Sequence, residues 1–430
     1  MSNPNIFCNT PWYELHIYWD GSLGICCQEY HKLYDPDPQY NIARMSIAEW
    51  FNSVPVQKFR QQVLGDNPVS ACTRCHLEEQ LDGNSRRIKS NQKSAIFRQA
   101  FSESFAQSPG HKHFDPSGVT VTHPIDIHID LGNYCNLACK MCNSRTSSTI
   151  ASQEVKWGIE SSRQYLGTDW TQDTQAWNSF LQQLLDIPKL NNIHFMGGET
   201  LLTRRFEDLV DHMIKHDRLD LCFSFVTNGT VFRPELMDKL KLFRRVGIEV
   251  SIETVDAHNA YQRQGTDTKQ VLANLDRYQT WCNGSNITLT VRPAISLLTI
   301  GYFSELLKYC LDQNLIVKSL LVNRPEFLDP VILPKSVKQQ YLKNYQSLMI
   351  QLDNIQVPID YNTSDPHNCA MIVKEQAQMC VNILSMPEPN NVDELRQLMV
   401  DHCRRWDHVY GYDARALYPE LEQVWDQHGY

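Results

Sequence analysis

No uninterrupted apolar run in this chain approaches the ~20 residues that a membrane-spanning helix needs. The opening segment, Met1 to Cys8, lacks a basic n-region and an apolar h-region, so no secretory signal is visible. No tract repeats and none is of low complexity, which excludes solenoid architectures. Basic residues are not in excess either. Forty Lys and Arg stand against 49 Asp and Glu, for a formal charge of −9, which argues against nucleic acid as the main partner. What remains is 430 residues with 42% hydrophobic and 21% charged content, the composition of an ordinary globular protein of two or three domains. Fourteen cysteines without a signal peptide point to a reducing, cytoplasmic compartment, where thiols ligate metals or stay free.

Three of those cysteines carry most of the information. Cys135, Cys139 and Cys142 form a C-x3-C-x2-C run directly after a strand-like stretch. Three thiolates this close can hold three corners of a [4Fe–4S] cube, and with no fourth cysteine nearby one iron keeps an open position. Clusters that only carry electrons normally have every iron ligated by protein, so the pattern points to chemistry at the open iron. Two alternatives stand beside it: a structural zinc site, which wants four ligands in spaced pairs, and three unrelated core thiols.

On these residues the chain resembles the radical S-adenosylmethionine (SAM) superfamily, whose hallmark is C-x3-C-x2-C after the first strand of a partial β/α barrel. The resemblance implies a catalytic [4Fe–4S] cluster whose open iron chelates the methionine amino and carboxylate groups of SAM. It implies that one electron, from a flavodoxin- or ferredoxin-like donor, cleaves SAM to a 5′-deoxyadenosyl radical, which takes a hydrogen atom from a substrate.

The central stretch alternates strand-like and helix-like segments, as βα units around a parallel sheet do. Strands are expected at Ile125–Leu131, Asn192–Met196, Leu219–Val226, Ile248–Ile252, Ile287–Val291 and Ile316–Val322. Six strands are too few for a closed eight-stranded barrel and match the superfamily's partial (β/α)6 core. A long excursion between Ser144 and Leu190 is expected to hold two helices, near 144–157 and 175–185. After Arg324-Pro325 the βα rhythm stops, and helical stripes through Leu352 and from Val392 to Cys403 mark a helical C-terminal region.

A second constellation lies in the first ninety residues. Cys8 and Cys26 frame a C-x12-G-x4-C pattern, and Cys72 and Cys75 form a C-x2-C pair. Glu14 to Ile25 reads as a hairpin turning at Asp20-Gly21, which brings Cys8 and Cys26 to one end. Cys27 could replace Cys26, but neighbouring strand residues point to opposite faces, so both are not expected to serve. A zinc knuckle is the plain reading of four such thiols. The set also resembles the twitch or SPASM auxiliary-cluster modules of radical SAM enzymes, with cysteines enough for one auxiliary [4Fe–4S] cluster. Trp50 to Ser53 looks like the helix of that module. Those modules usually follow the barrel; here the module precedes it. The expected organisation is therefore a twitch-like α+β module over 1–92, a linker over 93–120, an α/β partial barrel over 121–325 and a helical region over 326–430.

The same resemblance gives SAM contacts. Gly197-Gly198-Glu199 ends the second strand, where a GGE motif binds the methionine amino group in this family. Ser251 and Glu253, expected on one face at the end of the fourth strand, match the position that bonds the SAM ribose. Met141 stands where an aromatic residue usually meets adenine, and a thioether packs on rings as a substitute. Arg263 offers a fork to the SAM carboxylate, and Asn228, at the end of the third strand, is a further candidate contact. Arg292 could face a substrate or sit in an ion pair. Cys222 and Cys310 are expected as core residues, and Cys282, Cys369, Cys380 and Cys403 show no ligand spacing.

The expected function is radical SAM chemistry with oxidation of a peptide or protein side chain, because modules of this type recur in peptide-modifying enzymes. No peptide-leader-binding domain is recognisable ahead of the module, which counts against a peptide. A sugar or aminocyclitol hydroxyl is the second substrate class. A zinc- or cluster-stabilised binding protein is the non-enzymatic reading.

Overall fold

The computed structural model describes residues 7–27, 38–65, 67–83, 85–92, 115–120, 123–167, 169–354 and 366–430. Most of the expected linker over 93–120 lies outside the described residues. The strands are β1 (Glu14–Ile17), β2 (Leu23–Gly24), β3 (Asp126–Asp130), β4 (Ala138–Cys139), β5 (Asn192–Met196), β6 (Cys222–Thr227), β7 (Arg245–Val250), β8 (Arg263–Gln264), β9 (Ile287–Val291), β10 (Ala294–Ile295), β11 (Ile316–Val317) and β12 (Leu320–Leu321). The chain forms two compact units. The first takes residues 1–135, 144–225 and 233–247; the second takes 136–143, 226–232 and 248–430. Strands β6 and β7 each begin in the first unit and end in the second.

In the first unit the strands lie in the order β2-β1-β3-β5-β6. β1 and β2 form the expected antiparallel hairpin, with Gly21 in the left-handed region at φ +81° in the turn. The hairpin does not stand alone. β1 pairs in parallel with β3, matching Leu15 to Ile127 and Ile17 to Ile129. Register follows the side-chain alternation, because a one-residue slip would turn every apolar group to the other face. Leu15, Ile17, Ile127, Ile129, Ile193, Phe195 and Phe225 are fully buried on one face. Phe206, on the helix Arg204–Lys215, seals this layer with ring contacts to Phe195 at 4.8 Å and Phe225 at 5.2 Å. The opposite face carries Glu14 and His16, Asp126 and His128, Asn192 and His194, and Cys222 and Ser224 in matched register. Among the described residues the long excursion holds two α-helices, Ser148–Lys156 and Thr174–Asp186, with 3-10 turns at Glu160–Leu166 and Trp170–Gln172 between them.

In the second unit β11 pairs in parallel with β9, β10 with β12, and β4 antiparallel with β8. The single strand expected over 316–322 is two strands with different partners, broken at Lys318-Ser319. Ser319 there turns its N–H and hydroxyl to Gln376 Oε1. From residue 326 onward every described element is helical, chiefly Lys335–Asp353, Pro366–Leu384 and Val392–Tyr410. No helix among the described residues is long and apolar enough to cross a membrane.

Candidate functional site

In the first unit a short 3-10 turn, Thr10–Trp12, follows Cys8, and the hairpin returns the chain to Cys26. A second 3-10 turn ends at Cys72, and the helix Thr73–Asp82 presents Cys75 on its first turn. These elements bring Cys8, Cys26, Cys72 and Cys75 together as the lining of one cavity, with Arg86 and Arg87. Cys27 is not among its lining residues. Burial raises the Cys8 thiol and pushes that of Cys75 up to about 11. Such thiols stay protonated by themselves and become thiolates on metal coordination. Four converging cysteines fit an iron–sulfur cluster, and also zinc, by donor chemistry.

Gly197 and Gly198 follow β5 with φ of +78° and +53°. Both approach the loop ahead of Cys135 closely. A Cβ on Gly197 would lie 2.7 Å from Asp130 Cβ, and one on Gly198 only 2.3 Å from the Tyr134 carbonyl oxygen. Only glycine satisfies both the conformation and the space. Glu199 then donates its N–H to the same Tyr134 oxygen at 2.8 Å and caps the turn Thr200–Leu202 through Oε1. Cys135 itself is held by the start of the helix Ser148–Lys156: its N–H donates to Ser148 Oγ, and its carbonyl accepts from Thr149 Oγ1 at 2.6 Å. Beside this loop a cleft of about 400 Å³ is lined by Tyr134, Asp169, Thr171, Gln172, Arg204 and Asp208, among others.

In the second unit Cys139 pairs across β4–β8 with Arg263, whose Nη1 donates to Cys139 Sγ at 3.6 Å. The Arg263 fork closes on Glu253, Nε to Oε2 at 2.5 Å and Nη2 to Oε1 at 2.7 Å, with the Glu253 side chain wholly buried. Glu253 Oε1 also accepts from the Ala294 N–H at 3.1 Å. Both carboxylate oxygens are thus engaged within the protein, a different environment from the ribose-facing one expected of Glu253. The strand also stops earlier than expected. β7 ends at Val250, so Ser251 and Glu253 sit in the loop beyond it. Asn228 Nδ2 donates to Asn136 Oδ1 at 2.8 Å, tying the end of β6 to the cysteine loop. Met141 is half-buried, with its sulfur 3.5 Å from Gln262 Nε2, and Cys142 is exposed. The Cys142 sulfur and burial together hold the Cys139 thiol well above the usual range.

Sequence reasoning missed Lys140. It is 1% exposed, its Nζ 4.1 Å from the Tyr261 ring centroid and 3.9 Å from Asp407 Oδ1. Burial pushes its ammonium down to about 8, against the opposing pull of Cys403 and Asp407. A lysine between two motif cysteines was a visible signal, but Asp407 and Cys403, which act on its charge, lie in the C-terminal helix Val392–Tyr410. Arg292 is in an ion pair with Glu249 at 3.3 Å. Cys282, Cys310, Cys369, Cys380 and Cys403 are buried, and Cys222 is half-buried in β6.

The radical SAM superfamily model matches residues 129–289, and that of an iron–sulfur cluster-binding domain, SPASM, matches residues 8–76. The radical SAM cyclopropyl synthase TigE of Paramaledivibacter caminithermalis is 27% identical over 185 residues, 42% of this chain and 37% of that protein. PqqA peptide cyclase of Xanthomonas euvesicatoria pv. vesicatoria is 27% identical over 137 residues, 32% of this chain and 31% of that protein. The chain thus spans about a third of the length of these curated relatives. Among solved structures, Streptococcus suis SuiB bound to precursor peptide SuiA aligns with TM-score 0.38 at 12% identity, covering 69% of this chain and 63% of that one. AdoMet-bound anSMEcpe aligns with TM-score 0.39 at 17% identity, covering 54% and 62%. Both scores are low, and the family assignment stands on the sequence matches. The cofactors that follow from these domains are SAM, a catalytic [4Fe–4S] cluster and an auxiliary iron–sulfur cluster. The chain carries a radical SAM superfamily domain over residues 129–289, and an iron–sulfur cluster-binding SPASM domain over residues 8–76 precedes it.

Proposed function

We propose that this enzyme oxidatively modifies a peptide or protein side chain in the cytoplasm, with its reducing electron from a flavodoxin- or ferredoxin-like protein. The observation that carries the oxidative part is the four-cysteine cavity, because a second cluster there gives an electron from the substrate radical somewhere to go. The peptide part is supported by PqqA peptide cyclase among the relatives and by the open cleft beside Tyr134, lined by both polar and apolar side chains. When bound, SAM and the catalytic cluster supply the hydrogen-abstracting radical, and the auxiliary cluster supplies the acceptor.

The chain's own residues then divide the work. Cys135, Cys139 and Cys142 ligate the catalytic cluster; Cys8, Cys26, Cys72 and Cys75 ligate the auxiliary one. Gly197 and Gly198 give the backbone its close approach, and Glu199 accepts from the methionine ammonium. Arg263 receives the methionine carboxylate, and Glu253 orients and charge-balances that guanidinium. Ser251 and Asn228 serve the ribose, and Met141 packs on adenine. The test is turnover with SAM and candidate peptides deuterated at single side chains. Deuterium in 5′-deoxyadenosine together with a peptide that has lost two hydrogens supports the reading. Deuterium transfer from a sugar or aminocyclitol and from no peptide overturns it.

A further inference from the structure

Thiols and apolar groups are not the whole wall of the four-cysteine cavity; two arginines line it as well. Arg87 is forked onto Glu79, with Nε–Oε1 2.9 Å and Nη2–Oε2 2.5 Å, and its Nη1 donates to the Phe7 carbonyl. Arg86 reaches the other way, toward the sheet. Its Nη2 lies 2.5 Å from Glu14 Oε2 and 3.0 Å from His128 Nε2, groups on the polar faces of β1 and β3. Glu14 is essentially unexposed, and Asp126 joins it and His128 in a trio whose ligand atoms all lie within 4.8 Å of one another. Those are metal-type donors, but the Arg86 guanidinium already serves them as their cation. The polar layer continues through the His128–His194 ring contact at 4.7 Å to Ser224 Oγ, 2.7 Å from His194 Nδ1.

We propose that Arg86 is a positioning residue that sets the potential of the auxiliary cluster, holding a fixed positive charge at the cavity with Glu14 as its counter-charge in the sheet. The inference rests on the reading that this cavity holds that cluster. Reduction adds one negative charge to the cluster. A neighbouring cation therefore stabilises the reduced form and a neighbouring anion the oxidised form, and iron–sulfur potentials follow net charge, hydrogen bonding and exposure. In a half-buried setting such charges act through an effective dielectric well below that of water. The electron comes from the substrate radical in turnover and from dithionite in the experiment, and no proton is transferred to the arginine.

The experiment uses the full chain with Cys135→Ala, Cys139→Ala and Cys142→Ala, so that only the auxiliary cluster is present. Potentiometric titration followed by low-temperature EPR then compares Arg86→Met, Arg86→Lys and Glu14→Gln in that background. Arg86→Met is expected to shift the reduced-to-oxidised ratio at least tenfold toward oxidised at a given potential, about 59 mV for one electron. Glu14→Gln is expected to shift it the opposite way, and Arg86→Lys to stay within about threefold of the parent by retaining the charge. A merely structural role would not give opposite signs. Shifts of the same sign, or below about twofold in both variants at unchanged iron content, overturn the proposal. If Arg86→Met does not retain iron, Glu14→Gln decides, and a shift toward oxidised or one below about twofold overturns the proposal. A parent that binds no iron at these cysteines fails the cluster reading itself, and the iron assay reports that separately.

Discussion

Replacing Arg263 by Met removes one half of a buried ion pair and leaves the other half stranded. The Glu253 side chain has no exposure and that of Arg263 only 10%, and the two share two hydrogen bonds of 2.5 and 2.7 Å. In Arg263→Met, Glu253 keeps only the Ala294 N–H at 3.1 Å, too little to offset a buried carboxylate. Breaking such a pair from one side costs about 3–5 kcal/mol. Adding Glu253→Gln removes the stranded charge, so the double variant is expected to recover part of the loss and to be more stable than Arg263→Met alone. Urea denaturation of the metal-free protein, followed by circular dichroism, measures both. Because the chain has two compact units, midpoints are compared rather than a single two-state free energy. An Arg263→Met variant whose urea midpoint matches the parent's would refute the reasoning, as would a double variant whose midpoint is no higher than that of Arg263→Met.

Three further outcomes are expected. Gly198→Ala forces a left-handed alanine, costing about 1–2 kcal/mol, and drives its Cβ against the Tyr134 carbonyl 2.3 Å away, so melting temperature and SAM affinity both fall. Normal SAM binding by calorimetry would contradict that. Cys139→Ala should abolish SAM cleavage, whereas Cys72→Ala should leave 5′-deoxyadenosine release uncoupled from peptide product; equal cleavage in both variants contradicts the division of roles. His402 has its pKa pushed down from 6.5 to about 3, by burial first and then by Lys140 and Arg405. The native imidazole therefore stays neutral while the unfolded one protonates, so stability is lost as pH falls from about 6.5 toward 3. His402→Leu should show a flatter urea-midpoint profile across that window, and an unchanged slope would remove His402 from the account.

Much of the site was legible because its signals are local. The cysteine triad and the GGE turn are each written within a few residues, and the C-x12-G-x4-C hairpin within nineteen; Cys26 and Cys27 lie beyond the end of β2 at Gly24, so strand alternation does not decide between them. The cavity includes Cys26. What stayed hidden is non-local. Nothing near Leu15 and Ile17 announces β3 as a parallel partner more than a hundred residues on. Arg263 reaches Cys139 across 124 residues, and Arg86 reaches Glu14 across 72. Ser251 and Glu253 look like a strand face by spacing, yet β7 stops at Val250 and Arg263 captures the carboxylate. The helix Pro366–Leu384 buries Cys369, Val373, Ala377, Cys380 and Leu384, a stripe disguised by thiols at core positions.

Anaerobic reconstitution with iron and sulfide, followed by SAM and dithionite, tests the central claim most directly. The parent chain is expected to hold about eight irons and to release 5′-deoxyadenosine, and the variant with Cys135, Cys139 and Cys142 all replaced by Ala about four irons and no cleavage. A colourless zinc protein that leaves SAM intact, or a triple variant that cleaves SAM like the parent, would contradict it.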